Sequence, residues 1–166
     1  MTRIALVALA ALAVSCGSLT QLDVPFSESA ILSGGLNPPQ SGFSPMDAGQ
    51  SASRTFANQG VTASEIKSAK LTQGTLAVTS PPTGDLTTLS SFEILVEAPG
   101  QPEQVIAHQD QFAAGERSVP LILDDVDLKP YLTASSMTFT PRIQRSSKLT
   151  VGNEQIELSL NLHVQL

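Results

Sequence analysis

The chain has 166 residues, with nine Lys or Arg against fifteen Asp or Glu, 4% aromatic residues and a single cysteine. An acidic balance of this kind is repelled by nucleic acid and by anionic lipid headgroups. One thiol excludes an intramolecular disulfide, so a folded body has to be held by its apolar core alone.

Met1-Thr2-Arg3 carries one early positive charge, and Ile4 to Val14 is an unbroken run of eleven apolar residues, the size of a signal-peptide core. At about 1.5 Å per residue the run covers roughly half of a ~30 Å hydrocarbon layer, too little to span a bilayer. Ala13-Val14-Ser15-Cys16 follows, small residues ahead of the only cysteine. This stretch resembles the lipobox of bacterial lipoproteins. The resemblance implies that residues 1–15 are a signal peptide and that Cys16 becomes the mature N-terminus, its sulfur carrying a diacylglyceryl group and its amine an acyl chain such as palmitate. Because one acyl chain at about 0.8 kcal/mol per buried methylene anchors only marginally, such multiple acylation is what a stable anchor requires. The competing reading is an ordinary secretory signal with a chance cysteine. Neither Gly17 nor Ser18 is the Asp that often retains lipoproteins at the inner membrane, so the expected address is the cell envelope, at the outer membrane. From Cys16 onward, 151 residues with eight Lys or Arg against fifteen Asp or Glu make one acidic domain, 16–166. The profile there, rich in Ser, Thr, Val and Leu, is that of β-structure.

Gln21 to Phe26 alternates Leu22, Val24 and Phe26 with polar residues, a first strand that Pro25 confines to an edge. Residues 34–50, "GGLNPPQSGFSPMDAGQ", read as an irregular Gly/Pro-rich loop, with a lid exposing Phe43 and Met46 as the rival reading. Thr62 to Glu65 matches a capping box. A strand is expected over 69–79, with a bulge at Gly74 to reconcile the parity of Ala69 and Leu71 with that of Leu76 and Val78. Asp85 caps a short turn, "FEILVEA" is a strand with Phe92, Ile94 and Val96 inward, and "PGQPE" turns it back into residues 105–108 as a hairpin. Val119, Leu121 and Leu123 alternate as one further strand. In "IELSLNLHVQL" every second residue from Ile156 to Leu166 is apolar, a half-buried strand. Its expected partner is Met137 to Val151, turning at Gly152-Asn153 so that Phe139 faces Leu166 and Ile143 faces Leu162. Arg145 and Ser147 would then face Leu160 and Leu158, a misfit that calls for a bulge, or a looser connection, around residues 144–148. About seven short strands and one or two helical turns make an all-β, antiparallel, immunoglobulin-like sandwich, similar overall to small exported sandwich lipoproteins of unassigned role.

Chemistry-bearing motifs are sparse. His108 and His163 stand far apart; His163 reads as a surface residue of the last strand, and His108, with Asp110 nearby, joins a nucleophile only by free choice among many serines. Asp124, Asp125 and Asp127 are the one acidic cluster. They are a candidate Ca²⁺ site if other oxygens complete about six to eight ligands, but the preferred reading is a solvated turn in which Asp127 caps "LKPYL". Tyr131, the sole tyrosine, is expected to tie its hydroxyl to the backbone at a sheet corner while its ring joins the core, with a ligand contact as the lesser reading. No cofactor and no catalytic residue is nominated. The expected function is a lipid-anchored, non-enzymatic structural or protein-binding component of the envelope. The alternative is an inhibitor or carrier of a secreted protein or small ligand, a carrier being recognisable by a concave apolar pocket.

Overall fold

The computed structural model describes residues 19–33, 43–146 and 152–166; the expected signal segment, Cys16 and the stretches 34–42 and 147–151 lie outside the described residues. Nine strands form there: β1 (Gln21–Leu32), β2 (Met46–Asp47), β3 (Ser68–Ser80), β4 (Leu89–Glu97), β5 (Gln104–Gln109), β6 (Ser118–Pro120), β7 (Ile122–Leu123), β8 (Thr138–Arg145) and β9 (Glu154–Gln165). They pair into a four-stranded sheet, β1-β9-β3-β6, and a five-stranded sheet, β2-β8-β4-β5-β7, antiparallel throughout. The all-β sandwich is the fold. Between the sheets Leu76, Ile156 and Leu158 meet Phe92, Ile94 and Phe139, all fully buried, each large side chain contributing about 1.5–3 kcal/mol by leaving water. Edge-to-face ring pairs add specificity, Phe26 to Phe139 across the two sheets at 5.4 Å and Phe43 to Phe92 at 5.9 Å between centroids.

The strict alternation of the last segment appears as β9, whose Ile156, Leu158, Leu160, Leu162 and Val164 are all buried. Its partners overturn the expected hairpin. β9 lies between β1 and β3, with Gln21 opposite Gln165 and Leu32 opposite Glu154, whereas β8 lies in the other sheet between β2 and β4. Matching parity is necessary for pairing but not sufficient, because β1 and β3 match β9 equally well. Crossing to the opposite sheet puts Phe139 against the core and Arg145 opposite Leu89 instead of Leu160; the pairing is irregular there, with a register shift on β4 between Leu89 and Ser91 opposite Arg145 and Gln144, while residues 147 and 148 lie outside the described residues.

β1 runs six residues past its expected end, because Ala30 and Leu32 resume the buried parity that Glu28 interrupts. It is an edge strand, as Pro25 requires. Leu166 N–H donates to the Thr20 carbonyl at 2.9 Å. Counting by alternation from that pair, even-numbered β1 residues bond β9 and odd-numbered ones, Pro25 included, turn their backbone to the edge that no described strand covers.

The expected strand over Val119 to Leu123 is two strands in two sheets. β6 pairs β3 and β7 pairs β5, so the chain steps from one layer to the other at buried Leu121 and closes that side of the sandwich. The step explains Gly74. The β3 register shifts against β9 fall between Leu71 and Gln73 and between Val78 and Ser80, not at Gly74. Instead Gly74 accepts the Leu121 N–H at 2.9 Å, and a Cβ there would sit 3.2 Å from the Leu121 side chain.

Residues 34–50 are not irregular throughout. β2 takes Met46 and Asp47, and a helix, α1 (Ala48–Gln59), begins at once. Phe43 and Met46 are buried, which removes the exposed lid contacts. Asp47 accepts from Gln50 N–H at 2.7 Å to start α1, and Gly60, at φ 68°, ends it. α1 buries only Ala48, Ala52 and Phe56, one every four residues, and packs against β1 and β8 on the side opposite the β6–β7 step.

Local signals fare well. Glu65 accepts from Thr62 N–H at 2.7 Å ahead of a 3₁₀ turn, Asp85 accepts from Thr87 N–H at 3.0 Å ahead of another, and β4 and β5 form the expected hairpin with a register shift at Ile94/Leu95.

Candidate functional site

The acidic run lies between β7 and a one-turn helix, α2 (Lys129–Leu132), at the end of the sandwich that holds both Gln21 and Gln165. Its carboxylates reach different partners. Asp124 Oδ2 is 3.3 Å from His108 Nδ1, Asp125 pairs with Lys70, and Asp127 Oδ1 accepts from the main-chain N–H groups of Ala69 and Lys129, both at 3.1 Å. Asp127 therefore joins α2 to β3, assisted by Leu128 N–H donating to Ala69 at 2.7 Å. The hydrogen bond from Lys70 to the Asp125 carboxylate raises the ammonium pKa. Among the described residues no three His, Cys, Asp or Glu side chains gather where they could hold a metal ion. Tyr131 is buried, and its hydroxyl donates to the Pro102 carbonyl at 2.8 Å, tying α2 to the β4–β5 turn as expected. Between that turn and the acidic run lies an open groove of about 720 Å³, lined by Gln101, Pro102, Gln104, Asp124, Asp125 and Tyr131 among others.

The histidines stay apart. His108 finds Asp124 across the β5–β7 pair instead of its sequence neighbour Asp110. His163 lies opposite Asp23 in the β1–β9 register, with Nδ1 2.8 Å from Asp23 Oδ1, on the outer face that strand alternation gives it. Asp23 also borders a second groove, of about 660 Å³, over the polar outer face of β1, β9 and β3.

At the opposite end two residues do what the sequence did not disclose. Half-buried Arg117 donates through its guanidinium to the carbonyls of Val78 at 2.9 Å, Pro81 at 2.8 Å and Gly84 at 2.8 Å, and also to Pro82, gathering the β3–β4 connection around one charge. Glu154, the first residue of β9, is 6% exposed. Its Oε2 accepts from Thr88 Oγ1 at 3.1 Å. Burial raises its pKa above the ordinary 4.5; the Thr88 hydroxyl, Arg145 and the Asp85 amide work against that rise, and the Asp85 charge adds to it. A charged residue at an inward position was the available signal, since Glu154 continues the parity of Ile156 and Leu158.

No protein-family model matches the chain, and no curated protein is significantly similar to it in sequence. Among the described residues no helix is long and apolar enough to cross a membrane.

Proposed function

We propose that the protein is a lipoprotein of the bacterial cell envelope, attached through acyl chains on Cys16 and serving, without catalysis, as a structural or protein-binding component. The observation that carries this reading is the apolar run ending at the single cysteine, followed so closely by the folded body that β1 starts at Gln21. A membrane-facing end and a free end follow from that spacing. At no more than about 3.6 Å per residue, the five steps from Cys16 to Gln21 can hold the sandwich only about 18 Å from the lipid.

Protein binding is favoured over carriage of a small apolar ligand because side chains fill the space between the sheets, where such cargo would sit. The odd-numbered backbone groups of β1 offer an edge to which an extended segment of a partner can add. The inhibitor reading keeps the same edge and differs only in the partner.

Two measurements test the proposal. Mass spectrometry of the mature protein should find Cys16 at the N-terminus bearing diacylglycerol and an amide-linked acyl chain, and an unmodified thiol overturns the anchor. Cross-linking and pull-down from native membranes should recover partners that Cys16→Ser loses; an identical recovery from the variant counts against any role for attachment.

A further inference from the structure

We propose that Glu154 is a pH-responsive clasp at the end of the sandwich remote from Gln21: protonated, it holds together the segments that meet there, and ionised, it lets them part. Tyr131 apart, Thr88 and Glu154 are the two polar side chains buried among the described residues, and they are bonded to each other. The carboxyl thus occupies a place in the inward row of β9 that apolar residues fill at every other position from Ile156 to Val164.

What surrounds it makes this a junction. Thr88 passes the connection on, because its carbonyl accepts the Ser146 N–H at 2.9 Å and so ties the 86–88 turn to the end of β8. Arg145 donates to the Ser33 carbonyl at 2.7 Å, reaching the end of β1. Asp85 accepts the Gly115 N–H at 2.9 Å, and the neighbouring Leu86 N–H donates to Glu116 at 2.9 Å, bringing in the loop before β6. A Cβ on Gly84 would lie 3.2 Å from Glu154 Oε1, so the main chain itself closes over the carboxyl.

Among the described residues two charged groups act on Glu154, Asp85 from the β3–β4 connection and Arg145 from β8, and they oppose each other. Burial is what disfavours the carboxylate here, because at 6% exposure Glu154 has lost most of the water that would solvate its charge. Thr88 and Arg145 moderate the cost, so ionisation opens this end locally and leaves the sheet centre folded. The sign follows from the raised pKa. The stabilisation is complete below the ordinary value of 4.5, where both folded and unfolded chains are protonated, and it is lost as pH rises through the higher folded-state value.

Amide hydrogen exchange on the full chain at about pH 5 and pH 8, corrected for intrinsic exchange, tests the clasp. Leu86, Gly115 and Ser146 should lose protection at the higher pH relative to Leu158 and Leu160 at the centre of β9. Glu154→Gln, which keeps the shape and cannot ionise, should abolish that difference. Asp85→Asn, which retains the cap and removes the repelling charge, should shift the loss to lower pH. A carbon-13 titration of the wild-type carboxyl needs no variant, and a Glu154 midpoint at or below 4.5 overturns the proposal. Equal pH dependence in wild type and Glu154→Gln overturns it as well.

Discussion

Gly49 stands where α1 meets β8. Its N–H donates to the Met137 carbonyl at 2.8 Å, and a Cβ added to it would lie 2.7 Å from the Met137 nitrogen. That neighbour is backbone and cannot swing aside, so the usual advantage of Ala over Gly inside a helix is reversed here. Gly49→Ala should destabilise the protein by about 1–3 kcal/mol, the range for overpacking a closed site, read as a lower urea midpoint at unchanged slope. Residue-scale features were legible where cause and effect are close in the chain. Asp85 and Glu65 cap turns two or three residues away, and a lone Tyr131 needs some acceptor for its hydroxyl. Gly74 stands out in the sequence but its cause does not, because what it makes room for, Leu121, is brought there by the fold and not by its neighbours.

Elements were legible in proportion to how much of one face they bury. β9 announces itself with five buried apolar residues in strict alternation. α1 does not, since its buried positions Ala48, Ala52 and Phe56 are set among Ser, Gln, Arg and Thr, and two of the three are small. Asp47 and Gly60 mark its ends, but start and stop signals without a broad apolar stripe look like loop chemistry. The segment 118–123 shows the opposite failure, a clear alternation that says nothing about a change of sheet in its middle. The connection from β3 to β4 depends on a contact no local pattern contains, the Arg117 guanidinium beneath four carbonyls. Arg117→Lys keeps the charge but replaces a planar fork with a single ammonium that cannot reach all of them. It should cost about 1.5–3 kcal/mol, the range for a lost charged hydrogen bond. In amide exchange the loss should concentrate at Gly84 and Leu86, with Leu158 affected less.

At the scale of the whole molecule the decisive question is which strands flank β9, because two topologies satisfy the same alternation. The hairpin reading places Thr140 opposite Gln165, whereas in the structure Ser27 lies opposite Ser159 and Thr140 lies opposite Leu95 in the other sheet. Parity alone could not separate them, since pairing across an entire domain is decided by how both sheets cover one core. Ser27 and Ser159 form a non-hydrogen-bonded pair by the alternation counted from Thr20, which brings their Cα atoms to about 4.5 Å. That is inside the roughly 4.4–6.8 Å window a disulfide accepts. In a chain beginning at Gly17, which has no native thiol, the double variant Ser27→Cys with Ser159→Cys should therefore oxidise readily. Closing a loop of more than about 100 residues should raise its stability by as much as ~4–5 kcal/mol over the reduced form. Thr140→Cys with Gln165→Cys should remain two thiols under the same conditions, because face-packed sheets lie about 10 Å apart and these side chains leave from separate layers. Free-thiol counting and unfolding curves with and without reductant distinguish the two arrangements, and ready closure of the second pair with failure of the first would return β8 to the side of β9.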